Sequence, residues 1–182
     1  MGLVSEENMA DTVFVERARQ GDAAALDALI ERHYGMLFRV AFRWCGQKEN
    51  AEDIAQEACI KIARHIDGFG SESSFTTWAY RIVINTAKDF HKSRRLTMRR
   101  EEAFAAEHGS DVLENKAEEA ILCQQVYAFM DTLPLELKKT ALLVFAEELS
   151  HKEAASVLGC AEATVSWRIH KIKKKLNGHF GK

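Results

Sequence analysis

Apolar residues recur at helical spacing along almost the whole chain, and the interruptions mark where helices stop. Asp11 to Gln20 predicts a short helix, broken by Gly21-Asp22, which also caps the next one. Leu26, Leu29, Ile30, His33, Leu37, Phe38, Ala41 and Cys45 then fall on one stripe of about six turns, which Gly46 ends. Asn50 is placed to cap a third helix, with Ala51, Ile54, Ala55, Ala58, Ile62 and Ile66 facing inward. A loop rich in glycine and serine, residues 67–74, leads to a fourth helix capped by Ser74. Its inward side carries Phe75, Ala79, Ile82, Thr86 and Phe90. The rhythm fails after Arg95 and returns at Ala117 to Met130. Pro134 suits a first helical turn and opens Leu135 to Glu148.

The C-terminal pattern is the most specific. Ser150-His151-Lys152-Glu153 has the form of a capping box. Ala155, Gly159 and Val165 supply the small residue, turn residue and core anchor of a helix-turn-helix. Val165, Ile169, Ile172 and Leu176 form the buried stripe of its second helix. The prediction is an all-α chain of two small helical domains, residues 11–95 and 117–180, joined by a flexible linker over 96–116. That linker holds too few large apolar side chains to offset its ordering entropy.

Composition supports the helices and sharpens the rest. One proline in 182 residues leaves long helices unbroken. The net charge of −2 conceals segregation. Lys88 to Arg100 carries six Lys and Arg against Asp89. Glu101 to Glu119 carries seven acids against Lys116, and Thr164 to Lys182 carries six Lys and Arg with no acid. Local basic patches steer a chain toward phosphate, whatever its average charge. The acids between them fall in the stretch expected as linker. Cys45, Cys59, Cys123 and Cys160 are scattered without metal-ligand spacing, which suits apolar packing in a reduced cytoplasmic protein. No apolar run is long enough to span a membrane, so no membrane insertion of its own is expected. No metal, cofactor or catalytic residue is expected either.

Three outward faces carry candidate chemistry. Asp53, Gln56, Glu57 and Ile60 share one side of the third helix, where an apolar residue sits among polar ones. That face is either ordinary solvated surface or a docking site. Trp78, Arg81, Asn85, Lys88, Lys92 and Arg95 cluster on the fourth helix, after a loop containing Phe69. A basic track beside aromatic side chains is what single-stranded nucleic acid requires. The last helix turns Ser166, Trp167, His170, Lys171 and Lys174 away from its buried stripe.

The runs Asp53-Ile54-Ala55-Gln56-Glu57, Phe75-Thr76-Thr77-Trp78-Ala79-Tyr80-Arg81-Ile82 and Asn85-Thr86-Ala87-Lys88 resemble region 2 of bacterial sigma factors. Leu133-Pro134-Leu135 and the stretch from Leu149 to Leu176 resemble region 4. The short length and missing region 3 are similar to the extracytoplasmic-function group.

This resemblance implies a non-enzymatic transcription initiation factor. Asp53, Gln56 and Glu57, helped by Ile60, would dock on the β′ clamp of core RNA polymerase, and region 4 would meet the β flap. Lys61, His65, Phe69 and Asn85, with Ser71 to Ser74 as loop rim and Trp78, Arg81 and Lys88 on the helix, would capture the melted −10 element of promoter DNA. Ser166, Trp167, His170, Lys171 and Lys174 would meet the −35 element, with Arg168, Lys173 and Lys175 on phosphates. Trp167 stands where relatives place a small residue. It either contacts DNA or packs back on Val144 or Phe145. An anti-sigma factor is expected as a further partner. The competing readings are a sigma mimic that only sequesters an anti-sigma factor, and a stand-alone helix-turn-helix regulator.

Overall fold

The computed structural model describes the backbone of residues 6–70, 73–102 and 118–180, and side chains within 11–70, 73–93 and 125–179. Eight α-helices account for nearly all of it, with no strand among the described residues. They are α1 (Glu6–Arg19), α2 (Ala23–Cys45), α3 (Lys48–His65), α4 (Phe75–Glu102), α5 (Glu118–Thr132), α6 (Leu135–Ala141), α7 (His151–Leu158) and α8 (Glu162–Phe180).

The first module, α1 to α4, is built on the stripes seen in the sequence. Leu29, Leu37 and Ala41 of α2 meet Ile54, Ala55, Ala58 and Ile62 of α3 and Phe75, Ala79 and Val83 of α4 in one buried core. Asp22 caps α2, its carboxylate accepting from the Ala25 N–H at 3.1 Å. Gly46 closes the helix at φ 71°, and a Cβ there would lie 3.3 Å from the Tyr127 ring. Glycine is thus required twice over, for backbone sign and for close approach.

Local details depart from expectation. The cap of α3 is Gln47, not Asn50. The left-handed Gly46 already turns the chain, so the helix starts two residues later and Asn50 lies in its first turn. Ser74 does cap α4, accepting from the Thr77 N–H at 3.1 Å. That helix continues to Glu102, into the stretch expected as linker. The remainder of that stretch, 103–116, lies outside the described residues.

In the second module, Pro134 precedes α6, which does not run on regularly to Glu148. Leu142–Ala146 forms a π-helical turn, closed by Glu147 N–H donating to the Leu142 carbonyl at 2.9 Å. Such wide turns insert one residue and re-aim the chain beyond them. The capping box of α7 is complete, and Gly159 ends α7 at φ 63°. Val165, Ile169 and Ile172 are buried, whereas Leu176 is exposed, and His179 near the end of α8 packs beside Phe129 of α5 at 5.3 Å.

The modules pack together. Lys138 of α6 lies 4.7 Å over the Trp44 ring of α2, and Tyr127 of α5 donates to the Phe42 carbonyl at 3.4 Å. Contact with the second module explains why α4 buries Tyr80 and Ile84 in addition to the face the sequence marked.

Candidate functional site

The outer face of α3 forms as the spacing predicts. Asp53, Gln56, Glu57 and Ile60 are all exposed, and Ile60 keeps 43% of its surface open. Two carboxylates, an amide and an aliphatic side chain offer hydrogen bonds around a small apolar contact.

The α4 face is more divided. Asn85 is exposed, Trp78 and Lys88 are half-buried, and His65 is exposed at the end of α3. Lys61 of α3 instead turns to the buried Thr86 of α4, donating to its hydroxyl at 3.3 Å with Glu57 3.8 Å away. Two more expected contacts are elsewhere. Phe69 is only 6% exposed and packs edge-on to Phe75 at 6.1 Å and beside Trp78 at 5.2 Å. An aromatic in a glycine-rich loop gains more from that cluster than from solvent, so Phe69 anchors the loop from beneath. Arg81 donates to the carbonyls of Ser156 at 2.6 Å and Val157 at 3.1 Å, at the C-terminal end of α7. The carbonyls of the last turn and the negative end of the helix dipole hold the guanidinium there.

The α8 face is open. Ser166, Trp167, His170, Lys171 and Lys174 are all exposed. Trp167, 55% exposed, does not pack on Val144 or Phe145. Lys171 Nζ sits 4.2 Å above its ring, which orients both side chains outward. Arg168 differs from expectation. It turns back to Glu136 of α6 at 3.2 Å with a side chain mostly buried, so it braces the helix-turn-helix instead of reaching outward. One neighbour carries no sequence signal. His151 Nδ1 lies 2.9 Å from the Ser166 hydroxyl, which itself donates to the Glu162 carbonyl at 3.2 Å.

Comparison with known proteins identifies the family. Residues 29–97 match the family Sigma-70 region 2, and residues 123–176 match Sigma-70, region 4. The RNA polymerase sigma-H factor of Pseudomonas aeruginosa is 32% identical over 178 residues, covering 92% of each chain. The chain belongs to the sigma-70 family, in its ECF group. The ECF sigma-E factor of Escherichia coli K12 is 30% identical over 181 residues, with 94% of each chain covered. Among solved structures, CnrH in complex with the cytosolic domain of CnrY superposes with a TM-score of 0.67 at 22% identity, covering 93% of this chain and 96% of that one. RpoE of Bartonella quintana, solved with the anti-sigma factor NepR, gives 0.61 at 18% identity over 85% and 96%. The last two establish the fold.

As a sigma factor, the chain directs core RNA polymerase to promoters, which places the first module at region 2 and the second at region 4. No helix of the described residues is long and apolar enough to cross a membrane. Cys45, Cys59 and Cys160 form no disulfide, and burial pushes the Cys59 thiol up from its ordinary value, which suits a packing role.

The groups that sequence reading missed lie where the modules meet. Glu147, its side chain 1% exposed, receives Arg39 at 3.1 Å, Arg43 at 2.7 Å and the Tyr80 hydroxyl at 3.0 Å. Arg43 also reaches the Ala146 carbonyl. Burial, and then Glu147 beside it, push the Tyr80 phenol up to about 12. The arginine partners are more than a hundred residues away in sequence, and each looks like an ordinary surface charge.

Proposed function

We propose that this sigma factor reads promoters with two faces and docks on polymerase with a third. Its modules would be region 2 over 11–95 and region 4 over 117–180, with α4 carrying the chain as far as Glu102 before the tether between them. Asp53, Gln56, Glu57 and Ile60 form the docking patch for the β′ clamp. His65, Trp78, Asn85 and Lys88 meet the melted −10 strand, with Phe69 shaping the loop. Opening then follows from differential binding. Unstacked bases gain contacts that duplex cannot make, which offsets a few kcal/mol of unstacking per base.

Ser166, Trp167, His170, Lys171 and Lys174 read the −35 duplex. The Ser166 proton is engaged by Glu162, and His151, as the Nδ1–H tautomer, donates to the same oxygen. Ser166 therefore offers only an acceptor to the groove, which selects the amino group of adenine or cytosine. Trp167 covers a thymine methyl or sugar edge. The factor works in the cytoplasm without catalysing a covalent step. An anti-sigma factor restrains it, a reading supported by the fold shared with a neighbour solved in such a complex.

The exposure of the α3 patch, with Ile60 among its carboxylates, is the observation that carries this reading over a stand-alone regulator. A regulator without polymerase has no use for that patch. The test is affinity for purified core polymerase. Asp53→Ala with Gln56→Ala weakens core binding roughly tenfold or more, on the scale of interface hot spots, while the melting temperature holds. Unchanged affinity contradicts the docking assignment.

A further inference from the structure

The basic face formed by Arg39, Arg43, Tyr80 and Arg81 belongs to region 2, yet acceptors from region 4 occupy it. Glu147 supplies a carboxylate, with Oε2 receiving Arg39 and Tyr80 and Oε1 receiving Arg43. Ser156 and Val157 supply helix-end carbonyls to Arg81. Two guanidinium groups face one carboxylate, so the face retains positive charge even when filled. Guanidinium forks fit carboxylate and phosphate oxygens alike, and a phosphodiester carries the same single charge as Glu147. Along α4, Arg81 leads within one turn to exposed Asn85 and then to Lys88, so the filled site continues into an open polar track.

We propose that these four residues form a phosphate site for the melted strand, and that Glu147 fills it in the free chain as a stand-in for a DNA phosphate. The proposal rests on the reading of α4 as the −10 face. Parting of the modules uncovers the site. Strand phosphates then replace Glu147, and contact with the −10 strand and separation of regions 2 and 4 favour one another. The Arg–Glu147 contacts exchange for Arg–phosphate contacts of the same kind, so the closed form protects the basic face at little cost to the open one.

The test uses the full chain and a fluorescein-labelled pool of random-sequence single-stranded DNA dodecamers, titrated by anisotropy at several salt concentrations. Glu147→Gln binds the pool roughly three- to tenfold more tightly than the wild type at low salt, as expected for gaining a charge-assisted contact. Its log–log salt slope steepens by roughly 0.7 for each phosphate gained. Small-angle scattering reports a larger radius of gyration for the variant. Adding Arg39→Ala and Arg43→Ala abolishes the gain. Glu147→Asp keeps the charge with shorter reach and gives an intermediate gain, so a poorly folding Glu147→Gln leaves the result readable. Unchanged affinity and slope in both Glu147 variants overturn the proposal. Asn85→Ala then locates the fault. If it weakens binding, the −10 assignment stands and only the masking falls. If it too changes nothing, the α4 assignment falls with it.

Discussion

Helices α4 and α8 carry similar chemistry and stand in opposite states. Each combines a tryptophan, a small polar residue and a row of basic side chains. On α8 these residues all face solvent, with Lys171 stacked over Trp167. On α4 Trp78 is partly packed under the loop and Arg81 is tied to α7. The difference follows from what each helix must bind. Duplex DNA presents its groove before any rearrangement, so an open helix can read it at once. A melted strand exists only late in initiation, so its binding face has no ligand in the free protein. Leaving it bare would expose an unpaired basic surface, and the second module covers it.

The largest expected effect removes the covering module. Leu143, a fully buried residue of the π-helical turn, costs about 2–5 kcal/mol when cut to Ala. Thermal melts followed by circular dichroism should show region 4 unfolding first, leaving region 2 folded with its α4 face released. A single cooperative loss of both modules would mean that docking, not each core, holds the chain together.

Substitutions on the faces separate duplex from single-strand reading. Trp167→Ala lowers affinity for duplex carrying the −35 element by about 1–3 kcal/mol with no change in melting temperature, since the ring is exposed. Asn85→Ala leaves duplex affinity intact and slows open-complex formation, read by permanganate reactivity of unpaired thymines. If Asn85→Ala instead weakens closed-complex binding, the division of labour between the helices is wrong. His151→Ala gives a smaller effect. Overall affinity changes little, while selection at the base read by Ser166 broadens beyond adenine and cytosine in a randomised −35 library. His151→Asn, which can also donate, restores it.

The smallest effects concern the frame. Ser150→Ala costs about 1 kcal/mol by removing the cap of α7. Hydrogen bonds from Ser150 hold the Glu153 carboxyl below its ordinary value. The cap's contribution is therefore present above the ordinary carboxylate range and is lost as pH falls through the lowered value. In Ser150→Ala, acid urea titrations should show a weaker dependence, because only the backbone N–H then bonds the carboxylate. At the other end of the scale, Tyr80 keeps its proton up to about 12. Its raised value favours the folded, neutral form, so the contribution holds below the ordinary phenol range and is lost between about 10 and 12.

These two helices also measure how far sequence reaches. The stripes of α2, α3 and α8, the capping box and the exposed α3 patch depend on neighbours within a turn or two, and periodicity exposes them. The outward direction of Ser166, His170, Lys171 and Lys174 was therefore legible from Val165, Ile169 and Ile172, whereas the placement of Trp167 was decided only by its exposure. The covered state of α4 was not legible. Glu147 and Arg39 lie 108 residues apart, and nothing local distinguishes either from a solvated charge. Phe69 and Arg168 were misplaced for a related reason: their residue types suit DNA contact as well as packing, and only the tertiary neighbours Phe75 and Glu136 decide. The π-helical turn at Leu142–Ala146 inserts a residue that no period predicts, and Glu147 comes directly after it.

The central claim is that two separate faces of one chain jointly give polymerase its promoter choice. Its most direct test is transcription by core polymerase with this sigma factor on a randomised promoter library, with sequencing of transcript 5′ ends. Two conserved elements at a fixed spacing should emerge upstream of the start sites, with Trp167→Ala relaxing only the distal element and Asn85→Ala only the proximal one. No transcripts above those made by core polymerase alone, or enrichment of a single element, would contradict it.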